Sequence, residues 1–273
     1  MKKRALLIGA PGGVTSRFLH GVSKDLERFR TFLMSAQGGG WLDEEILEFA
    51  NPSLNELNEV FHTLHAEYTI VYVSGDGSTD EYGRRLAHLS NGDTFADTDF
   101  LILDSPKMLV IMDTNRKAAE EGPKFIPQWH KQTEDQLEYS REMYNEWIED
   151  CEEGRLIIHA SNSKYEAKDS EDGGAFTSAL LYFGIGLKPA ETECTFASIK
   201  RIGDIAVNMV RKHESPQRPH IAYKKGNARL PFALGVPDRV PVKKNEEKNA
   251  GASGASGPLL MSLLLAGFFF LAD

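Results

Sequence analysis

The stretch Tyr68-Thr69-Ile70-Val71-Tyr72-Val73, running into Ser74-Gly75-Asp76-Gly77-Ser78, decides how the chain is read. Six residues dominated by β-branched and aromatic side chains form a strand, and the Gly-rich sequence behind them stops it. Similar short apolar runs stand on either side. Upstream lie Arg4–Gly9 and Ile46–Phe49; downstream lie Met108–Met112, Leu156–His159 and His220–Tyr223. Between them the spacing changes to that of helices. Val22, Leu26, Phe29 and Leu33 share one helical face, and Leu54, Leu57, Phe61 and Leu64 share another behind the capping-box pair Ser53 and Glu56. Strands alternating with helices predict an α/β fold of three layers, αβα, around a central, mostly parallel sheet of about six strands.

The long connection between Met112 and Leu156 is expected to hold a helix, with Leu137, Tyr144, Trp147, Ile148 and Cys151 on one face. Two further helices are expected over residues 174–187 and 195–212. After Pro241 the composition shifts. Residues 1–241 are read as the folded domain and 242–257 as a charged, then Gly/Ala/Ser-rich linker. Residues 258–273 are read as an apolar tail, shorter than the ~20 residues a spanning helix needs. The tail is read as membrane contact of a chain that is otherwise cytoplasmic, as a helix docking on the domain or on a partner, or as a glycolipid-anchor signal. Unchanged solubility on fractionation after removal of 258–273 counts against anchoring. The basic Met1–Arg4 start precedes an apolar run too short for a secretion signal and is taken as part of the first strand.

In a parallel sheet, ligands meet the carboxyl ends of the strands, which here are Ser74–Gly77, Asp113–Arg116 and Ala160–Asn162. At two of these ends the chain resembles the caspase-like peptidases (caspases, metacaspases and paracaspases). In that family one strand ends in Ser-Gly-His-Gly and a later one in a segment carrying the nucleophilic Cys. This chain reads Val-Tyr-Val-Ser-Gly-Asp-Gly-Ser and Leu-Val-Ile-Met-Asp-Thr-Asn-Arg. The resemblance extends to Lys3–Gly9, to Leu19-His20-Gly21-Val22-Ser23-Lys24-Asp25, to Ala160-Ser161 with Gly174–Thr177, and to Pro219–Ile221 with Leu230–Phe232. It covers roughly residues 3–235. It implies that Asp76 stands where the general base belongs and Asn115 where the thiol belongs. An amide cannot replace a thiolate nucleophile, so the catalytic pair is lost.

In metacaspases an acidic pocket takes Arg or Lys. The resemblance places Asp25 and Asp113 in that lining, with Ser161 beside them, and peptides carrying Arg or Lys are the ligands weighed for it; the plainer reading makes Asp25 an exposed helix residue and Asp113 a satisfied strand end. Cys151 with His159 is the pair weighed for rescue of thiol chemistry, and both residues, like Cys194, fit packing roles better.

Net charge is −9, from 31 basic and 40 acidic side chains. That sign opposes binding to nucleic acid. Two cysteines without metal spacing fit a reducing compartment. No cofactor is expected. Calcium is the one ion weighed, for the acidic group Asp76, Asp80, Glu81, Asp93, Asp97 and Asp99, and a solvated loop is the preferred reading. Gly9–Gly13 lacks the spacing of a phosphate loop.

The resulting expectation is a non-catalytic caspase-homology protein that binds or regulates active caspase-like proteases, or serves as a scaffold. The alternatives are a hydrolase of Arg/Lys peptides using a different residue set, and a small-molecule or nucleotide-binding α/β domain.

Overall fold

The computed structural model describes residues 2–12, 19–114, 116–118, 123–162, 166–213, 217–226 and 229–241; the side chains of 116–118, 168, 169 and 222–224 are excepted. The chain divides into two units, Met1–Pro241 and Val242–Asp273. The linker and the apolar tail lie outside the described residues, as does Asn115.

The first half of the chain runs β1 (Lys3–Ala10), α1 (Gly21–Met34), β2 (Ile46–Ala50), α2 (Leu54–Thr63) and β3 (Tyr68–Gly75). Then come β4 (Gly77–Thr79), β5 (Arg85–His88), β6 (Thr94–Ala96), β7 (Lys107–Asp113) and β8 (Arg116–Ala118). The second half runs α3 (Glu134–Asp150), β9 (Gly154–His159), β10 (Ala167–Ser170), β11 (Gly173–Gly174) and α4 (Ala175–Ile185). It ends with β12 (Thr195–Ser198), α5 (Ile199–His213), β13 (His220–Gly226) and β14 (Pro231–Gly235). Six strands form the main sheet in the order β13-β9-β7-β3-β1-β2. All neighbours in it are parallel except β13, which runs antiparallel to β9.

Side chains alternate across a strand, so each parallel strand feeds two cores. Leu7, Tyr72, Ile111 and Ile158 face one cluster, built with α1, α3, α4 and α5. Ile8, Val71, Val110 and Ile157 face the other, where α2 supplies Leu57 and Phe61 and the small sheet β4-β5-β6 supplies Ala87 and Phe95. The chain is thus a mixed α/β fold with a central, mostly parallel six-stranded sheet, as the sequence predicts. Its second outer layer is part helix and part sheet.

Local signals explain individual elements. Ser53 accepts from the Glu56 amide while the Glu56 carboxylate accepts from the Ser53 amide, which starts α2 at the position read from the sequence. Thr133 and Gln136 repeat the device at α3. Phe29 of α1 stacks on Tyr72 of β3 with ring centroids 4.1 Å apart, fixing the helix over the sheet's middle.

Two expectations need correction. Thr195–Ser198, read as the start of the last helix, is β12 and pairs with β14; α5 begins at Ile199. The tertiary pairing of Phe196 with Leu234 and of Ala197 with Ala233 decides their state over local propensity. The acidic stretch 76–99, read as a solvated loop, folds into the three-stranded antiparallel sheet β4-β5-β6.

Candidate functional site

β3 and β7 lie side by side with Ser74 opposite Asp113, so two sequence-matched strand ends emerge together at the carboxyl edge. Asp76 follows Ser74 by two residues and Asn115 follows Asp113 by two; Asn115 itself is outside the described residues. Gly75 is demanded by a close approach. Its φ is 154°, and a Cβ there would sit 1.9 Å from the Ala10 carbonyl oxygen. That same oxygen accepts the Asp76 amide at 2.7 Å, which pins the turn onto the end of β1.

Asp25 and Asp113 are both fully buried, at 0% exposure. Asp25 accepts from the Ser74 hydroxyl at 3.1 Å and from the Gly174 amide, with both carboxylate oxygens at 3.1 Å. Asp113 accepts from the Thr177 amide at 3.1 Å and its hydroxyl at 2.6 Å. Thr177 stands in the first turn of α4, where a carboxylate is favoured by the unpaired amides and the helix dipole. Both carboxylates thus knit the sheet edge to the start of α4. A guanidinium would have to compete with these donors for them. Ser161 is buried, and its carbonyl accepts from Arg85, whose other arm reaches Thr79 Oγ1 at 2.8 Å. Arg85 therefore ties the small sheet to the end of β9.

The small sheet brings together residues the sequence reading did not group. Asp76 and Ser78 are two apart and project from one face of the extended chain. His88 lies across from them on β5, its amide donating to the Asp76 carbonyl at 3.1 Å. Its Nδ1 is 3.1 Å from Asp76 Oδ2 and its Nε2 is 2.9 Å from Ser78 Oγ. An Asp–His–Ser series results. Its signal in the sequence is indirect: Asp80-Glu81-Tyr82-Gly83 is a turn, with Gly83 at φ 81°, and that turn sets His88 opposite Asp76.

The other imidazoles and thiols make different contacts. His159 Nε2 meets Asp97 Oδ2 at 3.1 Å, and its ring lies 4.9 Å from that of His220. Burial pushes His220 down to about 4, helped by His159, Arg85 and Arg211. The Cys151 thiol donates to the Ile148 carbonyl at 3.4 Å and is raised by burial. Burial likewise pushes Cys194 up to about 11. Both sulfurs are held as neutral thiols, the unreactive form. Among the described residues no group of three or more His, Cys, Asp or Glu side chains is placed to hold a metal ion. The acidic residues weighed for calcium have separate engagements, Asp76 with His88, Asp80 with Arg84 and Asp97 with His159. Among the described residues no helix is long and apolar enough to cross a membrane. A hollow of about 280 Å³, lined by Gly9, Pro11, Leu19, Val22, Leu26 and Asn51 among others, sits at the ends of β1 and β2.

Solved structures share this architecture, two of them as follows. The protein GSU0716 from Geobacter sulfurreducens aligns at 15% identity and a TM-score of 0.54, covering 85% of this chain and 97% of its own. Caspase-1 from Spodoptera frugiperda aligns at 13% identity and a TM-score of 0.50, covering 81% of this chain and 86% of its own. At such identities the likeness is one of fold, and the fold is caspase-like. No protein-family model matches the chain, and no curated protein matches it significantly.

Proposed function

We propose that this protein is a caspase-homology module without cysteine-peptidase activity, which works by binding another protein at the carboxyl edge of its sheet. One observation carries the reading. β3 and β7 end side by side in a caspase-like fold, yet the residues two beyond their paired positions are Asp76 and Asn115, neither of which is an imidazole or a thiol. Cysteine-peptidase chemistry requires a thiolate within hydrogen-bonding reach of a base. The two cysteines of this chain are held as neutral thiols in other settings.

An active caspase-like protease is the partner class this reading favours, on the strength of the shared caspase-like fold. The test is a titration of the purified full chain against such a protease, following both binding and the protease's rate. Saturable binding that changes the rate supports the reading. Cleavage of Arg- or Lys-ending peptides by the chain alone, blocked by a thiol alkylator, overturns it. The double variant Asp76→His, Asn115→Cys is expected to gain thiol-dependent cleavage if the edge still accepts a peptide.

A further inference from the structure

We infer that Ser78, His88 and Asp76 form a serine-type acyl-transfer site, in which the Ser78 hydroxyl is the nucleophile, His88 its base and Asp76 the positioning residue for His88. The inference goes beyond the binding reading, and neither depends on the other.

The order of contacts carries it. A carboxylate at Asp76 can only accept, so His88 bears its proton on Nδ1 and offers a lone pair at Nε2 to the Ser78 hydroxyl 2.9 Å away. That is the tautomer and orientation a hydroxyl nucleophile needs. The series is also accessible. The His88 side chain is 31% exposed and that of Asp76 14%, while the alternate residues Gly77 and Ala87 face the core. An incoming carbonyl therefore reaches Ser78 from solvent. Backbone bonds link Asp76 with His88 and Asp80 with Arg84, so by antiparallel alternation the amides of Gly77 and Thr79 point to the outer edge of β4. These are the donors an oxyanion formed at Ser78 would meet.

The chemistry closes on itself. Ser78 Oγ bonds to the acyl carbon of an ester as its proton passes to His88 Nε2. The bond to the alcohol breaks, and the departing oxygen takes that proton. Water then gives a proton to Nε2 and its oxygen bonds to the acyl carbon; Ser78 Oγ leaves and recovers the proton, and a carboxylic acid is released. The substrate class is a small activated acyl ester, whose good leaving group asks of the part-exposed Ser78–His88 pair no more than proton transfer.

The test uses the purified full chain with a fluorophosphonate probe and p-nitrophenyl acetate. The expected result is one adduct, located at Ser78 by peptide mass spectrometry, with an initial burst of nitrophenol. Ser78→Ala abolishes both, and His88→Gln slows labelling about a hundredfold, the usual scale of a lost general base. Asp76→Asn lowers the labelling rate and shifts its pH profile while the unfolding midpoint of the Ser78→Ala background is unchanged by it, a combination that a residue bracing only the hairpin would not give. Ser78→Cys, nearly identical in volume, is alkylated faster than Cys151 and Cys194. Absence of any adduct, an adduct elsewhere, or equal labelling of Ser78→Ala in a chain with unchanged circular dichroism overturns the inference and leaves the three residues as a hairpin clasp. Protease binding is measured separately, so either idea can fail alone.

Discussion

Asp25 shows what a single buried carboxylate does at this edge. It sits on α1, yet its oxygens take the Ser74 hydroxyl of β3 and the Gly174 amide before α4. Three segments therefore share one charge, and Gly173 is confined by it, since a Cβ there would lie 2.3 Å from Asp25 Oδ1. Removing the carboxylate strands a buried amide and hydroxyl, at about 1–3 kcal/mol for each donor left without an acceptor. Asp25→Ala is expected to lower unfolding free energy by about 2–4 kcal/mol, read as a lower urea midpoint at an unchanged denaturant slope. The Leu19–Asp25 motif was legible in the sequence as part of a family resemblance. Its burial was not, because a charge four residues into a helix reads equally well as a solvated side chain.

At the scale of elements, regular apolar spacing transmitted well and short polar strands did not. The six main strands and the Ser53–Glu56 start of α2 follow from apolar runs and a cap. The strands β4, β5 and β6 are three or four residues each, and β5 carries Arg85 and His88, so period-two alternation has no room to show. The Asp76–His88–Ser78 contacts were hidden for the same reason: they arise only once the hairpin register is known. The β9–β13 pairing offers a test at this scale. His220 is paired with His159 and is held near 4, below the ordinary 6.5, first by burial. Between these values the unfolded chain binds a proton at this site that the folded one does not. Stability is therefore full above pH 6.5 and falls as pH drops toward 4. Partial exposure limits the loss to about 1–2 kcal/mol. His220→Phe is expected to flatten that loss, measured by urea unfolding at pH 7 and pH 4.5.

For the whole molecule, the order β13-β9-β7-β3-β1-β2 places the first-made strand near one side and the last-made strand at the opposite rim. A ribosome therefore releases β1, β2, β3, β7 and β9 before the segment that covers β9 exists. Until His220–Gly226 emerges, Leu156, Ile157 and Ile158 present a bare row of amides and carbonyls on a hydrophobic strand, a ready template for pairing with another chain. A polypeptide halted at Pro219 is expected to sediment as high-mass aggregate after release in a cell-free system, whereas one halted at Pro241 remains in the supernatant. β13, the strand that runs against its neighbour in the main sheet, thus doubles as a closing seal, and a premature stop upstream of it is expected to convert a quiet fold into a sticky one.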